Sequence, residues 1–199
     1  MVGYRKIDFF PYDLVSLGTI GDGNCFYHAI LQGFNKSYRK GDITEKRKLT
    51  IRLKLLLASV LDEKNPETGE TFYNELGNGE ISKLSESILK SEENDPNCKD
   101  MILTKENMQR KLISNEWGDY TVLELVSNQL DIDIYVLSEA QKDVYLCGDK
   151  ENLLKGRKSV IIIHRTNHFE TVGLKVQNNI ITFFDKDNDI IKFLRSRYR

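Results

Sequence analysis

Gly21-Asp22-Gly23-Asn24-Cys25-Phe26 is followed directly by Tyr27-His28-Ala29-Ile30-Leu31. Two glycines permit backbone conformations with positive φ, and asparagine is a favoured residue just ahead of a helix. Phe26, Tyr27, Ala29, Ile30 and Leu31 describe a buried helix. The loop therefore delivers Cys25 to the first helical turn, among backbone N–H groups that have no intrahelical partner. The positive end of the helix stabilises a thiolate, and the same amides can hold a developing oxyanion. That arrangement suits a nucleophile rather than a core thiol.

The rest of the composition narrows the chemistry. A chain of 199 residues suits one domain, residues 1–199, able to bury about 70% of its unfolded surface. The formal charge of −1 gives no global field for nucleic acid. No apolar run approaches the roughly 18 residues of a membrane span. Tyr4, Arg5, Lys6 and Asp8 interrupt the place of a secretory leader, so an unsecreted, cytosolic protein is expected. Cys25, Cys98 and Cys147 are odd in number and widely spaced, which makes neither a disulfide framework nor a zinc knuckle. No paired histidine ligands occur, so no metal or other cofactor is expected. Cys98 and Cys147 lack a glycine-rich setting and read as structural or incidental thiols. Arg39, Lys40, Lys46, Arg47 and Lys48, and later Arg195, Arg197 and Arg199, read as solvated helix faces rather than a phosphate footprint.

Periodicity supplies the outline. Leu49, Leu53, Leu56, Leu57 and Val60 recur at helical spacing, and Ile51 and Leu55 widen the apolar face, which predicts a helix buried on two sides. Pro66-Glu67-Thr68-Gly69 is a turn. Further helices are expected over Thr71–Leu76, Ile81–Lys90, Lys105–Ser114 and Tyr120–Gln129, with Ser91–Lys99 as an exposed loop. The last third changes to strands. Ile132–Leu137, Val144–Leu146 and the apolar run Ser159–Ile163 come first, the last of these suited to the centre of a sheet. Phe169–Val176 and Ile180–Phe184 form a hairpin about Gln177-Asn178-Asn179. Helices first and strands later predict an α+β fold, a helical cap on a mostly antiparallel sheet.

A cysteine nucleophile needs a base, and the chain offers His28, His164 and His168. His28 shares the helix of Cys25, which points both along its own surface, and reads as a packed or solvent-facing ring. His164 ends the apolar strand. His168 opens the next one in Asn167-His168-Phe169-Glu170-Thr171-Val172. Residues two apart on a strand share a face, so Glu170 can orient the His168 ring while Phe169 points away. Base plus orienting carboxylate is the triad logic for an activated thiol.

Asp22-Gly23-Asn24-Cys25-Phe26, a Trp117-Gly118 segment leading into a helix, and Asn167-His168-Phe169 stand in this order along the chain. Together they resemble the ovarian tumour (OTU) family of cysteine proteases, and the likeness runs from the cysteine loop to the final hairpin. It implies a papain-like OTU fold with helical subdomains packed around a central, mostly antiparallel sheet. It also implies a metal-free deubiquitinase acting on ubiquitin or ubiquitin-like conjugates. Cys25 would attack the carbonyl joining ubiquitin's C-terminal glycine to a lysine amine. His168 would deprotonate Cys25 and later protonate the departing amine, and water would hydrolyse the thioester. Asp22, Gly23 and Asn24 match the loop that forms the oxyanion hole, and the Asp22 carboxylate is itself a catalytic candidate. Trp117 matches a structural position. The family carries Asp or Asn two residues after the histidine, where this chain has the longer Glu170. The orienting role therefore falls to Glu170, to Asp22 or to another group.

The resemblance implies polyubiquitin as partner for a monomer, with no nucleic acid and no membrane. It implies a cytoplasmic location, the host cytoplasm should the chain be a viral or bacterial effector. Two other readings stand beside it: a catalytically silent ubiquitin-binding module on the same scaffold, and a cysteine hydrolase of another acyl substrate.

Overall fold

The structure, a computed structural model, describes residues 3–83, 104–114, 122–145, 148 and 150–198. The expectations for Ile81–Lys90 beyond residue 83, for Ser91–Lys99, and for Cys98, Trp117, Gly118 and Cys147 lie outside the described residues. The chain divides into two compact units, one built from residues 1–50 and 117–199 and the other from 51–116.

The first unit is built on an eight-stranded sheet. Its strands are β1 (Tyr4–Ile7), β2 (Leu14–Leu17), β3 (Asp133–Ser138), β4 (Asp143–Val144), β5 (Ser159–Arg165), β6 (His168–Val176), β7 (Asn179–Ile181) and β8 (Phe183–Phe184). The spatial order is β1-β2-β6-β5-β3-β4, with β7 on β6 and β8 on β5. Every pairing is antiparallel except β3 with β5, where Tyr135 lies beside Ile161. The fold is the α+β arrangement read from the sequence. The apolar run Val160–Ile163 is fully buried in β5, which has a strand on each side and α1 packed against it. The predicted hairpin forms as β6 and β7, and the chain then moves to β8 on another strand. Gln177 takes a φ of 54° in the turn between β6 and β7.

Helix α1 (Cys25–Phe34) lies on this sheet. Cys25 through Leu31 are all buried, as an apolar pattern on every side of the helix requires. Gly33 lets the helix approach β5 closely, since a Cβ there would stand 2.5 Å from Val160 Cγ1. Thr171 Oγ1 on β6 donates to Ala29 O at 2.8 Å, and the Phe26 and Phe169 rings meet edge to face at 5.3 Å. The start of α1 is thus fixed against the start of β6. Helix α2 (Lys36–Lys40) is capped by the Asn35 side chain and buries Tyr38.

Helix α3 (Ile43–Val60) begins in the first unit and continues into the second. Within the second unit lie α4 (Phe72–Glu75) and α5 (Lys105–Ile113). Gln109 donates to Ala58 O at 3.1 Å and to Asp62 Oδ2 at 2.7 Å, which ties α5 to the end of α3. Leu53, Leu57, Ala58, Leu61, Tyr73, Leu76, Met108 and Leu112 are buried. The expectation of a helix buried on two sides is corrected here. Ile51, Leu55 and Leu56 remain 54, 50 and 48% exposed, so α3 buries one stripe and leaves apolar residues on the other. Periodicity alone counts apolar residues; it does not say which face meets a neighbour.

Helices α6 (Leu123–Gln129), α7 (Lys150–Leu153) and α8 (Asp189–Arg197) return to the first unit. No described helix is long and apolar enough to cross a membrane.

Candidate active site

The loop before α1 is built around Asp22. Gly23 takes a φ of 85°, which its lack of a Cβ allows without strain. Asp22 Oδ1 accepts the Asn24 backbone N–H at 3.1 Å, closing a tight turn of the kind that aspartate favours. Asparagine ahead of a helix predicts a side-chain cap at Asn24, and the structure corrects this. Its side chain makes no cap bond, and its Nδ2 lies 3.3 Å from Asp22 Oδ1. Of the residues expected to hold an oxyanion, Asn24 therefore has its backbone N–H engaged by Asp22.

His28 sits beneath this loop and is fully buried. Its Nε2 lies 3.2 and 3.3 Å from the two Asp22 carboxylate oxygens. Its Nδ1 lies 2.8 Å from Tyr38 Oη and 3.0 Å from Thr50 Oγ1. A carboxylate only accepts, so Nε2 carries the proton and the single lone pair of Nδ1 faces the two hydroxyls as acceptor. Arg47 Nε completes the group, 3.2 Å from Asp22 Oδ2. Burial holds the His28 ring below its ordinary pKa, and the neighbouring Asp22 only partly offsets this. Burial alone pushes the Asp22 carboxyl up. The Asn24 N–H and the His28 ring outweigh it, and the group rests below its usual range. The Asp22 carboxylate thus organises the loop through His28, Asn24 and Arg47.

Cys25 is the first residue of α1 and is 4% exposed. The backbone N–H dipoles of Phe169, Phe26 and Cys25 itself act on its sulfur. Burial pushes the thiol up and the three N–H groups favour the thiolate. The charge of Asp22 then adds to burial, so the thiol rests above its ordinary value. The Phe169 N–H brings the thiol to the residue beside His168.

His168 opens β6 opposite Arg165, across a turn in which Thr166 takes a φ of 49°. Its Nε2 lies 3.0 Å from Thr19 Oγ1, and the same hydroxyl donates to Phe169 O at 2.6 Å. His164, the third histidine, stacks on Phe169 at 4.6 Å between ring centres. Burial holds its ring below the ordinary histidine value.

Glu170 is the main departure from expectation. Strand alternation allowed its carboxylate to orient His168, with Asp22 or another group as the alternatives; the side chain is 3% exposed and bound by arginines. Glu170 Oε2 lies 3.1 Å from Arg165 Nε, and Oε1 pairs with Arg5 from β1. Burial pushes this carboxyl up. Its hydrogen bonds with Ser16 and Arg5 and the two arginine charges prevail and lower it. Two guanidinium groups attract a carboxylate more strongly than a neutral imidazole does, so the longer side chain turns to them. Neither expected carboxylate, Asp22 or Glu170, occupies the Nε2 side of His168.

Sequence reading missed Thr19, Arg5, Arg165, Tyr38 and Thr50, and placed Arg47 among solvated charges. Each finds its partner through the tertiary fold. Among the described residues, no group of three or more His, Cys, Asp or Glu side chains is placed to hold a metal ion.

Comparison with known proteins follows the same lines. A family model described as OTU-like cysteine protease matches residues 20–195. No curated protein matches the chain by sequence. Among solved structures, an ovarian tumour (OTU) domain in complex with ubiquitin superposes with a TM-score of 0.55 at 15% identity, covering 93% of this chain and 82% of that one. An OTU deubiquitinase from Wolbachia pipientis gives a TM-score of 0.45 at 14% identity over 94% of this chain and 98% of that one. The Hazara virus OTU bound to ubiquitin gives 0.42 at 15% identity over 88% of each.

Proposed function

The chain belongs to the OTU-like cysteine protease family, and on that premise we propose that it is a deubiquitinase cleaving ubiquitin or ubiquitin-like conjugates. One observation carries the reading. Cys25 stands at the first turn of α1, and the backbone N–H that most favours its thiolate is that of Phe169, the residue after the strand-opening His168. Residues 1–199 are taken as one catalytic domain.

His168 takes the Cys25 thiol proton as the sulfur attacks the carbonyl of the ubiquitin C-terminal glycine. The carbonyl π pair moves to oxygen, and backbone N–H groups at the start of α1 hold the oxyanion. As the tetrahedral centre collapses, the bond to the lysine nitrogen breaks and the imidazolium gives that nitrogen its proton. Water then adds to the thioester with His168 as base, and the thiol leaves with the proton restored.

The test is a ubiquitin probe with a C-terminal electrophile. It should label Cys25, and label neither Cys25→Ala nor a protein whose Cys25 is already alkylated. A folded protein that stays unlabelled and cleaves no ubiquitin chain overturns the reading.

A silent ubiquitin-binding module is favoured by one feature, the elevated thiol of Cys25. Titrating Cys25 alkylation against pH separates the two. A silent site shows a single transition at or above the ordinary thiol value of about 8.5, and an assisted one reacts well below it.

A further inference from the structure

Thr19 and His168 are 149 positions apart and meet side chain to side chain. Thr19 lies two residues past β2, and continuing the register from the pair Leu17 and Thr171 sets it opposite Phe169. Two contacts converge on its hydroxyl oxygen: Phe169 O at 2.6 Å and His168 Nε2 at 3.0 Å. A hydroxyl has one proton to donate, and a carbonyl oxygen only accepts. The proton therefore goes to Phe169 O, and the Thr19 lone pairs face Nε2. That leaves Nε2 as the nitrogen bearing hydrogen in the neutral ring, with Nδ1 bare. The Phe169 N–H, on the same strand start, is the backbone group that most favours the Cys25 thiolate. With Nε2 committed to Thr19, Nδ1 is the ring nitrogen that can receive the thiol proton.

We propose that Thr19 is the positioning residue for the His168 base, fixing its tautomer and ring orientation from a hydroxyl anchored on the Phe169 carbonyl. This rests on the reading of the site as a cysteine hydrolase. It fills the place that the sequence offered to Glu170 or Asp22. Glu170 is bound by Arg5 and Arg165, and Asp22 by His28, Asn24 and Arg47. A neutral hydroxyl orients the ring without supplying a full counter-charge for the imidazolium.

The experiment uses the full chain with ¹⁵N-labelled histidine, together with Thr19→Val and Thr19→Ser. Above the titration of the ring, native His168 should show a protonated Nε2 and a bare Nδ1, and Thr19→Val should lose that preference. With a fluorogenic ubiquitin amide, Thr19→Val should lower kcat on the order of 10- to 100-fold at unchanged KM, the scale of a misoriented catalytic group. Thr19→Ser should restore kcat to within about 3-fold, because it keeps the same donor and acceptor. Native His168 in the opposite tautomer, or a folded Thr19→Val with native kcat, overturns the assignment. If Thr19→Val does not fold, the native tautomer and the activity of Thr19→Ser decide. If the native protein cleaves no ubiquitin conjugate, the deubiquitinase reading fails on its own. The ring spectrum and the rate of Cys25 alkylation by iodoacetamide, which Thr19→Val should slow and Thr19→Ser restore, then still judge Thr19.

Discussion

His28 shows how much a single buried side chain can organise. It links the cysteine loop, through Asp22, to Tyr38 and to Thr50. Replacing it with glutamine strands several of these groups and should cost about 1–3 kcal/mol. The pH dependence has a definite sign. The folded ring is held below its ordinary 6.5, while in the unfolded chain it takes up a proton as pH falls through that value. The unfolded form then binds more protons, so stability falls with falling pH until the folded ring is protonated too. Asp22 acts in a lower window. Its contribution is present above 3.8 and is lost only as pH falls through its still lower folded value. Thermal melts between about pH 7 and pH 5 should therefore show a downward slope that His28→Gln flattens. Equal slopes in the two proteins would remove His28 as its source. The other charged and titratable neighbours of the ring are Arg47, Lys46 and Tyr38, and burial keeps the Tyr38 hydroxyl protonated throughout this range.

At the level of elements, the parallel pair β3–β5 depends on an acid buried at its base. Asp133 opens β3 at 1% exposure. Its oxygens accept the backbone N–H groups of Lys155, Gly156 and Arg157 at 3.0, 2.9 and 3.2 Å, and Arg157 Nε at 2.9 Å. Gly156 takes a φ of 79° there, so that successive N–H groups turn toward the carboxylate. The segment before β5 is thereby tied to the first residue of its neighbour strand. Asp133→Ala leaves a half-buried guanidinium and three N–H groups without their acceptor. The expected loss is about 3 kcal/mol, near the lower end for breaking a buried charge pair. A fall in Tm of roughly 6–12 °C follows for a chain of this size. A variant melting within about 2 °C of the native protein would show that the parallel pair does not rely on Asp133. The sequence marked this stretch as a strand by its apolar alternation, and nothing local distinguished Asp133 from an exposed acid.

At the scale of the molecule, the proposed substrate is itself a folded protein. Contacts remote from the scissile bond can be spent on orientation at the reacting carbonyl. A fluorogenic pentapeptide copied from the ubiquitin C-terminus should therefore be cleaved with kcat/KM at least ~100-fold below the corresponding ubiquitin substrate. A small acyl thioester turned over faster than either would favour a hydrolase of another acyl substrate.

The sequence by itself determined the features that short stretches of chain can encode. These are the glycine-permitted turn ahead of Cys25, the buried α1, the apolar β5, and the hairpin opened by His168. Backbone freedom, apolar periodicity and helix ends act over a few residues, so they can be read along a line. The tertiary structure decided which side chains meet. Glu170 left His168 for Arg5 and Arg165, Asp22 turned to His28, and Thr19 came to the imidazole from 149 positions away. Such pairings are settled by which polar groups strand order and burial enclose together. A buried carboxylate takes the strongest donors within reach, and His168 keeps the partner that remains.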